Sequence, residues 1–346
     1  MPFVPYTQVS RTVARELEVF DESFRGALAI AEPDSLWAAQ NGFVLSADVL
    51  KATFPIPLDA AGYKEFKGEM KFRSLYERVV SVFNDKQWQD GIEELADTIK
   101  SDRFLGWGEQ PANMAREWTR LPNTLVAQML EANPNLELYR DPDTLTLTSR
   151  ALFADDHPCN ILLSNIGTID NNRSTTQADI LSGKFFSDLK DYARSIKGPN
   201  GQPMGFRGTG SNILCNGSRE QLLDEATKLD TVIRTIKNDG TIVPPGAAGT
   251  QVAAVTQANR HKGTVSYTVC DELTSASDSV LYVLLGGGPA ENHPWVVMQD
   301  SAPRVIIQDE SSHKFSQNLK VSYSADGKAK AAPLLPHRIV KYTITA

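Results

Sequence analysis

Residues 175–197, TTQADILSGKFFSDLKDYARSIK, open the part of the chain that is most informative about its fold class. Apolar side chains recur in it at helical spacing, which predicts a helix with one buried face. That face consists of Leu181, Phe185, Leu189, Tyr192 or Ala193, and Ile196. A loop rich in glycine and proline follows at residues 197–212, and a short buried strand follows at residues 213–215.

The chain then continues into a second helix and a series of strands. Ser218 opens this helix, which we expect to reach about Ile236, and Gln221 completes a capping box. Short runs of apolar and β-branched residues in the last hundred positions predict strands. The predicted strands span residues 264–270, 279–285, 295–298, 304–308, 318–323 and 339–345. Because helices and strands do not alternate regularly, the order indicates an α+β protein.

Upstream of this stretch, residues 43–83 predict a long β-hairpin. One arm runs from Phe43 to Phe54, and the bend lies within PIPLDAAG at residues 55–62. The arm that returns alternates apolar side chains with charged ones, which is typical of a solvated face or of a subunit contact. Its apolar positions are Met70, Phe72, Tyr76, Val80 and Val82. A two-stranded hairpin is only marginally stable alone, so another surface must support it.

Two further helices are predicted, one near the N-terminus and one in the centre of the chain. The first runs from about Arg11 to Ala31 and carries a stripe of apolar side chains on one face. The stripe, called the arm stripe below, consists of Val13, Leu17, Phe20, Phe24 and Leu28. Such a helix must lie either on its own core or on a neighbouring chain. The second helical region spans residues 89–133, where Pro122 should kink or restart the helix.

Composition excludes several classes of protein. Of the 346 residues, 41% are hydrophobic, which rules out a wholly disordered chain. The formal net charge of −7 argues against a dedicated nucleic-acid-binding protein and leaves a local basic patch open. We expect no secretory signal and no membrane span, since no run approaches about 18 apolar residues. The three cysteines form no CxxC pair and are expected to be reduced core residues.

The most enzyme-like segment is Asp155-Asp156-His157-Pro158. Two carboxylates beside an imidazole could hold a divalent metal or perform acid–base chemistry. They could equally form a turn in which aspartate side chains accept hydrogen bonds from backbone amides. The sequence has neither the G-x-S-x-G motif of serine hydrolases nor the H-E-x-x-H motif of metalloproteases. A metal-dependent or α/β hydrolase-like enzyme centred on Asp155, Asp156 and His157 is therefore the alternative hypothesis, and no catalytic, metal-binding or cofactor-binding residue is predicted.

The glycine cluster GFRGTG at residues 205–210 is the other candidate for a ligand-binding loop. It matches neither G-x-G-x-x-G nor a Walker-type phosphate loop, and it leads into a strand rather than a helix. A flexible or tightly turned connection is the favoured interpretation.

The order of motifs along residues 70–345 resembles the major head subunits of Mu-type phages. Residues 76–133, from YERVVSVF to QMLEAN, resemble the strand, linker and long helix with an early proline in that family. ALFADDHP at 151–158 is similar to its aromatic-x-x-Asp-His-Pro segment. The helix–strand–helix at 175–228 resembles the axial domain of major capsid proteins. KGTVSYTVCDELTSASDSVLYVLL at 262–285, and the closing LKVSYSADGKAKAAPLLPHRIVKY, resemble the family's strand modules.

The resemblance implies the Hong Kong 97-type (HK97-like) capsid fold, an α+β fold built of four parts. The N-arm would be residues 1–42, and the extended loop, a β-hairpin, would be residues 43–88. The peripheral domain would comprise residues 89–169 and 299–337, with a long spine helix at about 111–133. The axial domain would comprise residues 170–298 and 338–346.

The same resemblance implies a major capsid protein of a tailed bacteriophage and no enzyme. Such a subunit self-assembles through a prohead into hexamers and pentamers of an icosahedral shell that encloses double-stranded DNA without sequence specificity. The implied location is the host cytoplasm during assembly and the virion capsid afterwards. The other implied partners are portal, scaffold and decoration proteins, and neither a membrane nor a cofactor is implied.

Two sets of residues are then expected at subunit contacts. The arm stripe would pack on an adjacent subunit. The hairpin would lie across a neighbour, with its alternating charges setting the register. The expected hairpin contacts are Phe54, Ile56, Leu58, Tyr63, Lys64, Glu65, Lys67, Glu69 and Lys71.

Overall fold

The computed structural model of the chain describes most of its residues. They are residues 6–29, 36–46, 50–57, 77–95, 109–140, 147–158, 168–198, 201–229, 231–237, 242–243, 251–287, 293–308 and 320–345. Six α-helices lie within these ranges. They are α1 (Tyr6–Ala29), α2 (Trp37–Asn41), α3 (Gln110–Ala132), α4 (Gln177–Ser182), α5 (Lys184–Ser195) and α6 (Glu220–Thr227).

The strands are distributed over the whole length of the described chain. The first nine are β1 (Phe43–Ser46), β2 (Lys51–Pro57), β3 (Glu77–Phe83), β4 (Gln87–Leu95), β5 (Asn135–Arg140), β6 (Leu147–Ala151), β7 (His157–Pro158), β8 (Thr168–Ile169) and β9 (Asn172–Thr176). The others are β10 (Phe206–Cys215), β11 (Thr231–Lys237), β12 (Ile242–Val243), β13 (Gln251–Ala258), β14 (Val265–Val269), β15 (Val280–Gly287), β16 (Trp295–Gln299), β17 (Arg304–Gln308), β18 (Lys320–Pro333) and β19 (Ile339–Thr345). This mixture of helices and sheets confirms the predicted α+β class.

The chain divides into two compact units, and each is built from separate segments. Unit 1 comprises Met1–Ala52, Val82–Leu125 and Val297–Ala331. Unit 2 comprises Thr53–Ser81, Val126–Val296 and Ala332–Ala346.

The core of unit 1 forms where α1 packs against β18. Strand β18 is at the centre of a five-stranded sheet, most of which lies in this unit: β16 and β17 flank β18 in the order β1-β16-β18-β17, and β4 also pairs with β18. Its side chains alternate between buried and half-buried, as expected of a strand with one face on a core. Val321, Tyr323 and Ala325 form the buried face and contact α1 and α3.

The core of unit 2 is a five-stranded mixed sheet of order β14-β10-β15-β19-β9. Its central strand β15 buries every residue from Val280 to Leu285, the pattern of a strand covered on both faces. Helix α5 covers this sheet with Phe185, Phe186 and Leu189, all of which are fully buried. Phe185 packs edge-on against Tyr342 of β19, with ring centroids 5.0 Å apart.

The remaining strands form small separate sheets. Strands β12, β11 and β13 form a three-stranded antiparallel sheet. Strand β5 pairs with β6, β7 pairs with β8, and β2 pairs with β3. The β2–β3 pair is the predicted hairpin. Its first arm begins at Lys51 rather than at Phe43, because β1 belongs to the sheet of β16 and β18 instead.

The helix predicted over residues 89–133 is wrong in its first part. Residues 87–95 form β4, which pairs antiparallel with β18 over its whole length. Partly buried Trp88, Ile92 and Glu94 lie at even spacings along β4, so the period is that of a strand. The described helix begins at Gln110 and continues through Pro122 without a break.

The second predicted helix of unit 2 ends nine residues too late in the prediction. The structure ends it at Thr227, and Thr231–Lys237 form a strand. That strand reads TVIRTIK, which is rich in the β-branched residues that favour strands. The predicted capping box is also wrong, because Asn216 rather than Ser218 caps this turn: its side chain accepts a hydrogen bond from the Ser218 amide.

Glycines explain two further differences from the predicted elements. The predicted helix over 175–197 is two helices, because Gly183 adopts a left-handed φ of 78° between α4 and α5. The predicted loop over 197–212 is wrong from Phe206 onward, where β10 begins nine residues before Cys215. The glycine cluster at 205–210 therefore lies largely within a strand. The strands predicted over the last hundred residues are confirmed, with shifted bounds for some.

Candidate assembly surfaces

The arm stripe lies on a core within its own chain. Leu17, Phe20 and Phe24 are buried, and Leu28 packs at the edge of the same cluster. The rings of Phe20 and Phe24 meet the ring of Tyr323 edge-on, with centroids 6.2 Å and 6.1 Å apart. The side chain of Val13 lies outside the described residues. The structure therefore fits the first of the two alternatives that the sequence left open for this helix.

The opposite face of α1 is exposed and is therefore available for a contact with another chain. A side chain that is covered within its own chain buries little further area against a neighbour. On the opposite face Val19 is 45% exposed, beside the exposed Glu18 and Glu22. Arg25 forms an exposed ion pair with Asp21, with Nε 2.8 Å from Oδ2.

The base of the hairpin exposes large apolar side chains. Leu50, directly before β2, is 62% exposed, and Phe83, at the end of β3, is 49% exposed. The two strands are joined here, since the Asn84 amide donates to the Leu50 carbonyl over 2.8 Å. The Lys51 ammonium lies 5.1 Å from the centre of the Phe83 ring, within the range of a cation–π interaction. This pair of residues, Leu50 and Phe83, is called the hairpin base below.

The expected hairpin contacts lie at or beyond the end of β2. Phe54 is half-buried within this strand, and Ile56 belongs to it through its backbone. The other seven, Leu58, Tyr63, Lys64, Glu65, Lys67, Glu69 and Lys71, lie outside the described residues.

The segment from Asp155 to Pro158 has structural roles rather than the geometry of an active site. His157 is buried, and its Nε2 lies 3.0 Å from the carbonyl oxygen of Leu152. Asp156 forms an ion pair with Arg150, with Nε 2.9 Å from Oδ2. Asp155 is exposed. His157-Pro158 forms the short strand β7, so the imidazole and the two carboxylates do not converge on one point.

Cysteine and metal chemistry gain no support within the described part of the chain. Cys215 and Cys270 are buried and reduced, and burial raises the pKa of the Cys215 thiol to about 12. At neutral pH this thiol is protonated and a poor nucleophile. Cys159 lies outside the described residues. No group of three or more His, Cys, Asp or Glu residues that could hold a metal ion occurs among those described.

Two polar residues that the sequence analysis missed hold unit 2 together. Asn171 is buried, and its Nδ2 donates to the carbonyls of Leu152, Pro336 and Ile339, while its Oδ1 accepts from the Ala154 amide. Three chain segments thus meet at one side chain. Its neighbour Asn172 carries the same side chain, so composition and spacing offered no signal that would distinguish the two.

Glu131, the other missed residue, fixes the C-terminal end of α3 within unit 2. Its Oε1 accepts hydrogen bonds from the amide and the hydroxyl of Thr274 and from the hydroxyl of Ser277, at 2.8, 3.0 and 2.8 Å. Hydrogen bonds to a charged acceptor are stronger than those between neutral groups. The turn at 274–277 is thereby tied to the long helix.

Comparison with known proteins finds similarity in solved capsid structures. No protein-family model and no curated protein sequence matches the chain. It is similar to the capsid of an empty GTA particle, at 7% identity and a TM-score of 0.49, over 90% of each chain. It is similar to the mature capsid of bacteriophage PhiM1, at 11% identity and a TM-score of 0.49, over 89% of this chain and 87% of that one. It is also similar to the procapsid of bacteriophage JBD30, at 11% identity and a TM-score of 0.48, over 99% of this chain and 77% of that one.

The described helices include none that is both long and apolar enough to cross a lipid bilayer.

Proposed function

We propose that this chain is the major capsid protein of a tailed bacteriophage, with an HK97-like fold related to the Mu-type head subunits. One observation carries the proposal: a two-stranded hairpin whose base leaves the large apolar side chains of Leu50 and Phe83 62% and 49% exposed. A hairpin of this kind is marginally stable in water, so its support must come from another surface. The resemblance in motif order along residues 70–345 supports a second copy of the chain as that surface.

In this proposal many weak contacts hold the shell together. Covering a half-exposed leucine or phenylalanine is worth about 1 kcal/mol, before the cost of ordering the contact is subtracted. One such contact is negligible, but a ring repeats it at every subunit, and symmetry makes each copy give and receive the same contact. The outer face of α1, around Val19, adds to this surface.

The finer parts of the proposal follow from the same resemblance. Hexamers and pentamers form a prohead in the host cytoplasm with portal, scaffold and decoration proteins, and the finished virion encloses double-stranded DNA. The proposal also includes the boundaries of the axial domain, the peripheral domain, the N-arm and the extended loop that the resemblance implies. A net charge of −7 is compatible with packaged DNA, because counterions neutralise most of the phosphate charge.

Substitution of the hairpin base tests this function. We expect the double variant Leu50→Asp/Phe83→Asp to stay folded by circular dichroism and to form no rings or shells by light scattering and electron microscopy. The control is Leu229→Asp, because Leu229 is an apolar residue outside the hairpin whose exposure, 50%, is close to that of Phe83. Shells formed equally by both proteins would contradict the role of the hairpin base.

A further inference from the structure

A basic pocket of about 400 Å³ lies in unit 2, where helix α5 meets the start of strand β10. Its lining includes Lys190, Arg194, Gly205, Arg207 and Gly208. Three of these residues are cationic, and the lining includes no carboxylate. In a protein with a net charge of −7, this is a local reversal of the prevailing sign.

A glycine allows the helix and the strand to approach closely enough to form the pocket. A Cβ atom on Gly208 would lie 2.7 Å from the Cα atom of Lys190 and 2.8 Å from its amide nitrogen. Real Cβ atoms do not approach backbone this closely, so only glycine fits at this crossing. Gly205 enters the strand with a φ of +80°, which also favours glycine. The cluster that the sequence analysis interpreted as a loop thus forms one wall of the pocket.

The three positive charges are gathered without acidic partners among the described residues. Lys190 and Arg194 are four positions apart on α5 and therefore lie on the same face of this helix. No described carboxylate forms an ion pair with them or with Arg207. Lys184 at the start of the same helix differs, since its ammonium lies 3.6 Å from Asp179 and 3.3 Å from Asp188.

The stem of Arg207 is packed rather than extended freely into solvent. A Cβ atom on Gly287 of strand β15 would lie 3.1 Å from the Cγ atom of Arg207 and 3.4 Å from its Cδ atom. The aliphatic part of this side chain therefore lies on the backbone of the neighbouring strand. Packing of the stem restricts the guanidinium before any ligand arrives, which lowers the entropy cost of binding.

We propose that this pocket binds a phosphate-bearing anion. Guanidinium groups bind phosphate oxygens in a bidentate geometry, and the ammonium of Lys190 adds a point charge. Repulsion among three like charges is relieved when an anion binds between them. The volume is within the range of sites for small molecules, so a nucleotide-sized oligophosphate fits as well as one phosphate of a nucleic-acid backbone. The site needs one folded chain only, so it does not rest on the proposed capsid function.

Two titrations of the full chain test the proposal and identify the source of the phosphate. Tripolyphosphate is titrated by calorimetry, and a fluorescent 20-base-pair DNA duplex by anisotropy, each at low and at moderate salt. We expect saturable binding of at least one probe, weaker at higher salt. The variant Arg194→Gln/Arg207→Gln should bind at least about tenfold more weakly, since it loses the charge-assisted hydrogen bonds of both guanidinium groups.

Two further variants distinguish a loss of anion binding from a loss of folding. Lys184→Gln removes the same charge from the same helix outside the pocket and should leave the affinity within about twofold. Arg207→Lys keeps the charge but loses the bidentate geometry and should bind with intermediate affinity. All variants are checked for unchanged thermal unfolding.

Each outcome of the titrations decides the proposal. Tripolyphosphate binding that depends on Arg194 and Arg207 supports it and assigns the site to a free oligophosphate. DNA binding with the same dependence, and no tripolyphosphate binding, supports it and assigns the site to a nucleic-acid backbone. The proposal is overturned if neither probe binds. It is also overturned if the control variant Lys184→Gln weakens binding as much as Arg194→Gln/Arg207→Gln does. Self-association that depends on these two arginines, with neither probe bound, also overturns it and makes the occupant an acidic surface of a second copy.

Discussion

The central sheet of unit 2 and the hairpin β2–β3 are both made of strands, yet they bury their side chains very differently. In the sheet, strand β15 has paired strands on both sides and buries six consecutive residues from Val280 to Leu285. In the hairpin, two strands pair with each other, and Leu50 and Phe83 at its base stay about half-exposed. The sheet of unit 2 is therefore stabilised by burial within its own chain. We propose that the hairpin is stabilised by burial against a neighbouring subunit.

The largest predicted effect compares two phenylalanines, one from each region. Phe185→Ala should lower the free energy of unfolding by about 3–5 kcal/mol, because it leaves a cavity beside Phe186 and Tyr342. Phe83→Ala should lower it by less than about 1 kcal/mol, because half of that side chain already lies in solvent. Denaturant unfolding of the unassembled chain measures both. Equal losses would mean that the hairpin base is part of the core.

The second effect tests whether helix α1 contributes to the core of its own chain or to a contact with another chain. Phe24→Ala should destabilise unit 1 by about 3 kcal/mol, since its buried ring packs against Tyr323. The matched variant Val19→Ala, on the exposed face, should leave stability unchanged and weaken assembly instead. Limited proteolysis within α1, together with light scattering, distinguishes these results. Normal resistance to proteolysis in Phe24→Ala would contradict the packing described here.

A third, smaller effect concerns the polar centre of unit 2. Asn171→Ala removes four hydrogen bonds at a buried position and leaves the Ala154 amide without its acceptor, which should cost about 1–3 kcal/mol. The neighbouring Asn172→Ala, at an exposed position, should cost less than about 0.5 kcal/mol. Thermal unfolding of the two variants checks the difference. Similar melting temperatures would show that Asn171 does not join the three segments.

The smallest effect is a pH dependence from His293. Burial, and then the positive charge of Arg338, lower the pKa of His293 below its ordinary value of 6.5. The unfolded chain therefore takes up this proton first, and stability that is full above pH 6.5 is lost as the pH falls through the lowered folded pKa. We expect the loss to be under about 1 kcal/mol and absent in His293→Gln. Unfolding curves at pH 7 and pH 5 for both proteins test it, and parallel losses would exclude His293.

Sequence patterns correctly predicted the helices and strands in which apolar side chains recur at the regular spacing of one buried face. The stripes of α1 and α5 and most strands after residue 264 are examples, because one regular period dominates each of them. The α+β class followed from their order. Patterns failed where pairing with a distant segment decided the conformation. Residues 87–95 become a strand because β18 pairs with them from more than 200 positions away.

The candidate sites were less predictable than the fold. The arm stripe was visible in the sequence, but spacing cannot tell whether its cover comes from Tyr323 of the same chain or from another subunit. The basic pocket was invisible, because Lys190 and Arg207 are brought together by a helix–strand crossing that only Gly208 permits. The segment at Asp155 was noticed for its residue types, although its side chains point to separate partners.

The particle mass of the purified chain is the decisive measurement for the proposed capsid function. Light scattering and electron microscopy of the same fractions are measured for the wild-type protein and for Leu50→Asp/Phe83→Asp. We predict pentamer and hexamer rings or megadalton shells for the wild-type protein and a folded 38.0 kDa monomer for the variant. Rings or shells of the same mass from the variant would show that the hairpin base is not a subunit contact.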